Sequence, residues 1–278
     1  MESDVNLPPA AASAPRPTST AAAAWGTTAF LTTKVPQLTV FFWIIKILTT
    51  GGGEATSDFL AHQYGPIPAV LIGGAVFAFS MVLQLRSKKY VPWVYWLAVA
   101  MVSVFGTMAA DGLHVEFHIP YAVSTAFYGA AVAVILTVWY RVEGTLSIHS
   151  ISTLRRELFY WATVLATFAL GTAAGDLVAT PLHLGYFTAG VVFAIAFAVP
   201  GIVYWRDKSH PILCFWVAYI LTRPFGASFA DWMGVPRSLS GLDLGRGHVA
   251  LGLFVLIGLL VAYMQISGRD TQPEPVSP

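Results

Sequence analysis

Four aspartates return at one spacing in this chain, and their surroundings hold most of the residues able to do chemistry. Each follows a tryptophan by fifteen residues and a glycine by five: Trp43, Gly53 and Asp58; Trp96, Gly106 and Asp111; Trp161, Gly171 and Asp176; Trp216, Gly226 and Asp231. Four copies of W-x9-G-x4-D make an internal repeat. A carboxylate inside an apolar stretch is costly unless it faces a polar cavity or a partner, so these four are candidates for holding an ion or a proton. Capping the turn into the next loop is the plainer role for any one of them. Recurrence at one offset weighs against that role for all four.

The first copy adds donors. Glu54 stands where the others have Thr107, Thr172 and Ala227, and Glu54, Asp58 and His62 follow at intervals of four, which on a helix is one stripe. His114 comes three residues after Asp111. Carboxylate and imidazole donors without thiolates suit Mn, Fe, Co, Ni or Zn, which makes Glu54, Asp58, His62, Asp111 and His114 the candidate metal ligands. Solvated interfacial histidines are the alternative.

Two cations break the repeat: Lys46, one turn after Trp43, and Arg223, which precedes Pro224. Lys46 is near enough to the start of its helix to snorkel to the interface. Arg223 is deeper, and Pro224 together with Gly51, Gly52 and Gly53 points to interrupted helices of the kind that line transporter sites. Glu54 and the four aspartates outnumber Lys46 and Arg223 by three, five against two, a balance that a bound cation or proton would supply. Thr49, Thr167 and Thr222 recur six residues after their tryptophans, where bonding back to a helix carbonyl or across to a neighbouring helix is the ordinary use.

These residues need helices in a membrane to position them. Of 278 residues, 56 % are hydrophobic and 10 % charged, against roughly 25 % charged in soluble domains. Eight apolar stretches long enough to cross a bilayer lie near 37–60, 66–86, 92–114, 120–141, 157–180, 185–205, 211–233 and 247–267. The expected fold is an all-α polytopic membrane protein of eight transmembrane helices, arranged as four tandem helical hairpins with parallel pseudo-symmetry. The repeats run about 37–90, 91–144, 156–209 and 211–267, within a membrane domain spanning 34–267.

Every tryptophan and aspartate of the motif falls on an odd-numbered helix. The repeated glycines, with Ser57, Ala110, Gly175 and Ala230 four residues later, form small faces on which the odd helices can approach closely. The even helices are left to the lipid, and the tryptophans to packing or interface anchoring. Basic residues cluster after the even stretches, at Arg86, Lys88, Lys89, Arg141, Arg155, Arg156, Arg206, Lys208 and Arg269, and Lys34 precedes the first. Both termini are therefore expected in the cytoplasm. Residues 1–33 and 268–278 read as disordered cytoplasmic tails. A near-neutral charge of +1 without a basic arm argues against nucleic acid as a partner, and the single cysteine, Cys214, excludes an internal disulfide.

The four tandem two-helix copies with a hallmark tryptophan, and the opening KVPQLTVFFWIIKILTTGGGEATSDF from Lys34 to Phe59, resemble a bacterial integral-membrane family named only for this repeat of unknown function and often labelled "membrane-anchored protein". The resemblance spans about residues 34–267. It implies eight helices in a bacterial inner membrane, and no activity.

The function expected from the residues is transport of a cation, a divalent transition metal first, with proton coupling. Glu54, Asp58, Asp111, Asp176 and Asp231 would bind it near the outer mouth, His62 and His114 would assist, and Arg223 and Lys46 would hold the carboxylates or couple their protonation. A bound divalent metal ion is the one cofactor-like species these donors suggest. A channel or membrane sensor with a carboxylate-lined pore is the alternative. An intramembrane acid–base enzyme ranks lowest, because four equivalent aspartates suit symmetric lining better than two distinct catalytic roles.

Overall fold

The computed structural model describes residues 33–115, 118–179 and 184–270, the side chains of 113–115 excepted. The expectation of disordered tails thus falls almost wholly outside the described residues. Eight α-helices and no β-strand occur among them: α1 (Val40–Tyr64), α2 (Pro66–Arg86), α3 (Pro92–Val115), α4 (Tyr121–Glu143), α5 (Leu154–Ala179), α6 (Gly185–Arg206), α7 (Pro211–Gly234) and α8 (Arg246–Ser267). Local signals set several ends. Thr39 caps α1 by accepting from the Phe42 amide at 3.4 Å; Pro66 and Pro211 open α2 and α7, where a missing N–H costs nothing. Gly144 and Gly268 close α4 and α8 in the left-handed conformation.

Seven helices are long and apolar enough to cross a membrane. The exception is α1, long enough at 25 residues but loaded with Lys46, Glu54, Asp58 and three glycines. Burial separates the two classes. More than half of the apolar core of α3, α5 and α7 is buried inside the protein, against less than a third of α2, α4, α6 and α8. The even helices present apolar residues such as Leu71, Phe127, Ile195 and Leu259 outward, as contact with a lipid bilayer requires.

The odd helices form a closed ring in the order α1, α3, α5, α7 and back to α1. Two sets of contacts repeat around it in register. Toward the tryptophan end, the aromatic residue before each motif tryptophan packs on the tryptophan of an adjoining unit: Phe42 on Trp96 at 5.6 Å between ring centroids, Tyr95 on Trp161 at 5.7 Å, Tyr160 on Trp216 at 6.3 Å and Phe215 on Trp43 at 5.9 Å. Halfway along, each repeated glycine abuts the residue seven after the next unit's tryptophan. A Cβ on Gly53 would overlap Ser103, one on Gly106 would lie 2.8 Å from the Cβ of Phe168, one on Gly171 would overlap Arg223 and one on Gly226 would overlap Thr50. Because last meets first in the same register, the four odd helices run parallel around one axis.

The even helices interlock the units. Each packs chiefly on the odd helix that follows it, α2 on α3, α4 on α5, α6 on α7, and α8 returns to α1. The hairpins read from the sequence are thus not compact packing units, since each completes its neighbour. Three of the motif tryptophans, Trp96, Trp161 and Trp216, are buried and so serve as core, with the Trp216 indole donating to the Leu146 carbonyl at 3.0 Å.

The segments just before α1 and just after α8 close the tryptophan end. Lys34, which precedes the first span, is buried, its Nζ 2.6 Å from Glu157 and 3.2 Å from the Leu85 carbonyl, while Gln84 donates to the other oxygen of Glu157 at 3.0 Å. Removal from water is tolerable because the carboxylate and the carbonyls of Gln84 and Leu85 meet the ammonium, and the Gln84 amide satisfies the second carboxylate oxygen. The Gln37 amide donates to the Asp270 carbonyl at 3.0 Å, and the Tyr90 hydroxyl to the Asp270 carboxylate at 2.5 Å. Burial, aided by Asp270, holds the Tyr90 hydroxyl far above its ordinary range, so it remains a donor.

Gly106→Leu should force α3 off α5 and destabilise the protein by about 1–3 kcal/mol or more, whereas Gly258→Leu, on a face of α8 with nothing within 4 Å of the added Cβ, should leave stability nearly unchanged. Thermal unfolding of the two variants in detergent makes the comparison.

Candidate ion-binding site

Four levels of side chains, each one helical turn from the next, project from the odd helices toward the ring axis. Counting from the motif tryptophans, the third residues are Lys46, Val99, Val164 and Tyr219; the seventh are Thr50, Ser103, Phe168 and Arg223; the eleventh are Glu54, Thr107, Thr172 and Ala227; the fifteenth are the four aspartates. Successive levels are about 6 Å apart, four residues at 1.5 Å each.

Arg223 sits in the middle, 1 % exposed. From α7 its guanidinium reaches the eleventh-residue level of all three other units. Nη2 bonds Glu54 of α1, the Thr107 hydroxyl of α3 and, at 2.6 Å, the Thr172 hydroxyl of α5. Nη1 donates to the Thr50 carbonyl at 3.2 Å, and Nε is buried without a hydrogen-bond partner. The threonines can serve because their hydroxyls donate backward to helix carbonyls, Thr107 to Ser103 at 2.9 Å and Thr172 to Phe168 at 3.1 Å. That leaves their lone pairs for the arginine.

Beyond this plug lies the carboxylate group. Glu54, Asp58 and Asp111 each offer an oxygen, and the three oxygens lie within 4.8 Å of one another. Asp176 and Asp231 join them electrostatically, since each lies within the field of Glu54 and Asp58. Asp58 is paired with Arg246 from the start of α8, Nε to Oδ2 at 2.7 Å. Asp231 is only 7 % exposed. With Glu54 compensated by Arg223 and Asp58 by Arg246, Asp111, Asp176 and Asp231 are the members of the group without a cationic partner among the described residues.

The structure thus gathers Glu54, Asp58, Asp111, Asp176, Asp231 and Arg223 into one group. Other candidates fall elsewhere. Lys46 does not snorkel: it is 1 % exposed on the tryptophan side of Arg223, with Nζ 3.9 Å from the ring centre of Phe168 and 4.2 Å from that of Tyr219, and none of the ion pairs among the described residues includes it. His62 is exposed, its Nδ1 2.8 Å from the Asp58 carbonyl, and it lines a separate cavity of about 640 Å³ with Gln63, Asp243, Arg246 and His248. The side chain of His114 lies outside the described residues, as does all of His183. The helices are not interrupted: α1 runs unbroken through Gly51, Gly52 and Gly53 and α7 through Pro224. Thr49, Thr167 and Thr222 bond back to carbonyls three residues earlier, at 2.8, 2.7 and 2.7 Å.

Sequence reasoning missed three members of the site. Thr107 and Thr172 occupy the same place in the repeat as Glu54, and that shared offset is the signal that all three face one partner. Arg246 opens α8, the outer helix that returns to α1, and no local feature marks it as the partner of Asp58.

The repeat itself is a known one. A family model described as Repeat of Unknown Function (DUF347) matches four times, over residues 41–90, 94–145, 159–209 and 214–270. The chain belongs to this family. Each DUF347 unit contributes one ring helix and one outer helix, and the fourth unit extends to the Asp270 that fastens the tryptophan end. No curated protein and no solved structure matches the chain.

Breaking the central pair by Arg223→Met should cost about 3–5 kcal/mol, because Glu54 is left charged and buried, and adding Glu54→Gln should recover much of that loss. A double-mutant cycle on reversible unfolding in mixed micelles measures the coupling; additive losses would show that the two groups do not depend on each other.

Proposed function

We propose that the protein is a membrane transporter for a divalent cation, coupled to proton movement. It would cross a bacterial inner membrane eight times, with both termini in the cytoplasm and the aspartate end facing outward. The observation that carries this reading is the group of five carboxylates above a buried arginine plug, with one aspartate from every unit. Three of the five lack a cationic partner among the described residues, and a cation entering from that end would supply one. The eight-span count is supported by the place of α1, which is more polar than the other helices but shares one ring with α3, α5 and α7. The orientation is supported by the basic residues, which concentrate at the tryptophan end.

The donors favour a hard cation. The oxygens that converge, from Glu54, Asp58 and Asp111, are all carboxylate, and among transition metals Mn²⁺ matches oxygen ligation best. Binding there would compete with Arg223 for Glu54 and with Arg246 for Asp58. Occupancy would thereby loosen contacts that join α7 and α8 to α1, as a gated carrier needs. A static cation pore fits less well, since Arg223 and Lys46 both lie buried along its course and raise its electrostatic barrier.

In proteoliposomes the intact protein should take up Mn²⁺ saturably, and the Asp58→Asn, Asp111→Asn double variant should lose about tenfold or more at low Mn²⁺. Equal uptake by both proteins, or no uptake of Mn²⁺, Fe²⁺, Co²⁺, Ni²⁺ or Zn²⁺, would remove the carboxylate group as a transport site.

A further inference from the structure

Among the described residues, Lys46 is the one buried cation without an anionic partner. Lys34 has Glu157 and a carbonyl, and Arg223 has Glu54, two hydroxyls and a carbonyl. Lys46 has aromatic faces, Phe168 from α5 and Tyr219 from α7. Such faces attract a cation without neutralising it. The charge that reaches it is that of Arg223, a like charge. Among the described residues no carboxylate on the surrounding helices offsets this: Asp111 of α3, Asp176 of α5 and Asp231 of α7 stand three levels away, Glu157 of α5 is held by Lys34, Tyr95 and Tyr160 lie one level below, Arg86 of α2 and Arg246 and His248 of α8 lie at helix ends, and Tyr263 packs on Phe41. On α1 itself, Glu54 is two turns away and held by Arg223. An arginine in this position would keep its proton, whereas a lysine gives its proton up readily when buried.

Hydroxyl groups lie between Lys46 and the tryptophan end. The Tyr219 hydroxyl is buried without a hydrogen-bond partner, and the Tyr160 hydroxyl is 2.5 Å from that of Tyr95, one level below Lys46. Tyr90 packs edge-on against Tyr95 at 5.7 Å and bonds Asp270.

We propose that Lys46 is an internal proton-binding site that exchanges one proton with the tryptophan end through these tyrosine hydroxyls, and that this is the proton traded for the cation. The second half rests on the transporter reading above; the first does not. In the exchange an N–H bond of the Lys46 ammonium breaks and the proton passes to a hydroxyl oxygen, which releases its own to the next. Every tyrosine ends neutral, one proton has moved, and Lys46 is left as an amine. Coupling runs through Arg223: a cation that draws Glu54 away leaves the guanidinium less compensated, and its repulsion drives the proton from Lys46. By linkage, a protonated Lys46 weakens cation binding to the same degree.

The test is a difference titration of the purified full-length protein against Lys46→Met, with Lys46→Arg as a second variant in case the first does not fold. Arginine keeps the charge and does not titrate. Between pH 5 and 9 the intact protein should take up about one proton more than either variant, and uptake equal to that of a folded variant overturns the proton site. Adding Mn²⁺ in weak buffer then tests the trade. The intact protein should release about one proton more than the variants; Mn²⁺ binding with equal release overturns the coupling. If the titration difference is present and the intact protein binds no Mn²⁺, the coupling and the transporter reading both fall while the proton site stands. Tyr160→Phe should keep the proton count and slow its release after rapid mixing, and an unchanged rate overturns the route.

Discussion

The charge of Arg223 is the constraint on which the arrangement depends. A guanidinium inside an apolar helical ring is tolerable only if several acceptors converge on it, and here one each comes from α1, α3 and α5, with a further carbonyl from α1. The arginine belongs to the fourth unit and its side-chain partners to the other three. Opening the ring at any seam would strand part of that charge, so electrostatics and packing close it together. Packing in turn makes the arginine possible. Its Cβ and Cγ lie where a side chain on Gly171 would have to go. The glycine of the third unit is therefore a condition for the cation of the fourth.

The ring helices share one geometry and divide the chemistry among themselves. Close approach is set by the same glycine and the same aromatic step in every unit, so the backbone repeats. Only the level of the aspartates repeats in its side chains as well. Below it, one carboxylate, one arginine and one lysine come from units that carry hydroxyl, apolar or aromatic groups at the other corners. Four equivalent carboxylates attract a cation without fixing its position. The single Glu54, held by Arg223, makes one corner of the axis different, and three carboxylate oxygens converge at that corner, from α1 and α3.

Much of this is legible in the sequence because the repeat is written in residues that do one thing each. The spacing of tryptophan, glycine and aspartate gives the helix boundaries within a few residues, and the small residues give the central ring, since nothing else draws helices together in lipid. What the spacing does not carry is rotation about the axis. Whether Lys46 points to the interface or inward depends on the in-register aromatic steps that turn α1, and those are contacts between units. The pairing of Arg246 with Asp58 is equally invisible, because it depends on α8 returning to α1 across the whole chain. Pro224 and the three glycines misled for a simpler reason. They are read locally as helix breakers, whereas here Gly53 and Pro224 lie in close helix-to-helix contacts, against Ser103 and Gly171.

The distances between levels decide how the site can communicate. Unit charges about 6 Å apart, with an effective dielectric constant of 20, interact by about 3 kcal/mol, and at about 12 Å by about 1.4 kcal/mol. A cation at the level of Glu54 therefore acts on Lys46, two levels away, by only about tenfold through space. Between them stands Arg223, rooted one level from each with its guanidinium reaching up to Glu54, and its compensation by Glu54 would be lost or kept according to whether a cation takes that carboxylate. Direct repulsion thus gives a bias, and the larger effect comes from changing the partner of the arginine. That change is also a change in packing, because the same side chain joins α7 to the other three ring helices. In the proposed carrier the electrostatic signal and the mechanical one would pass through one residue.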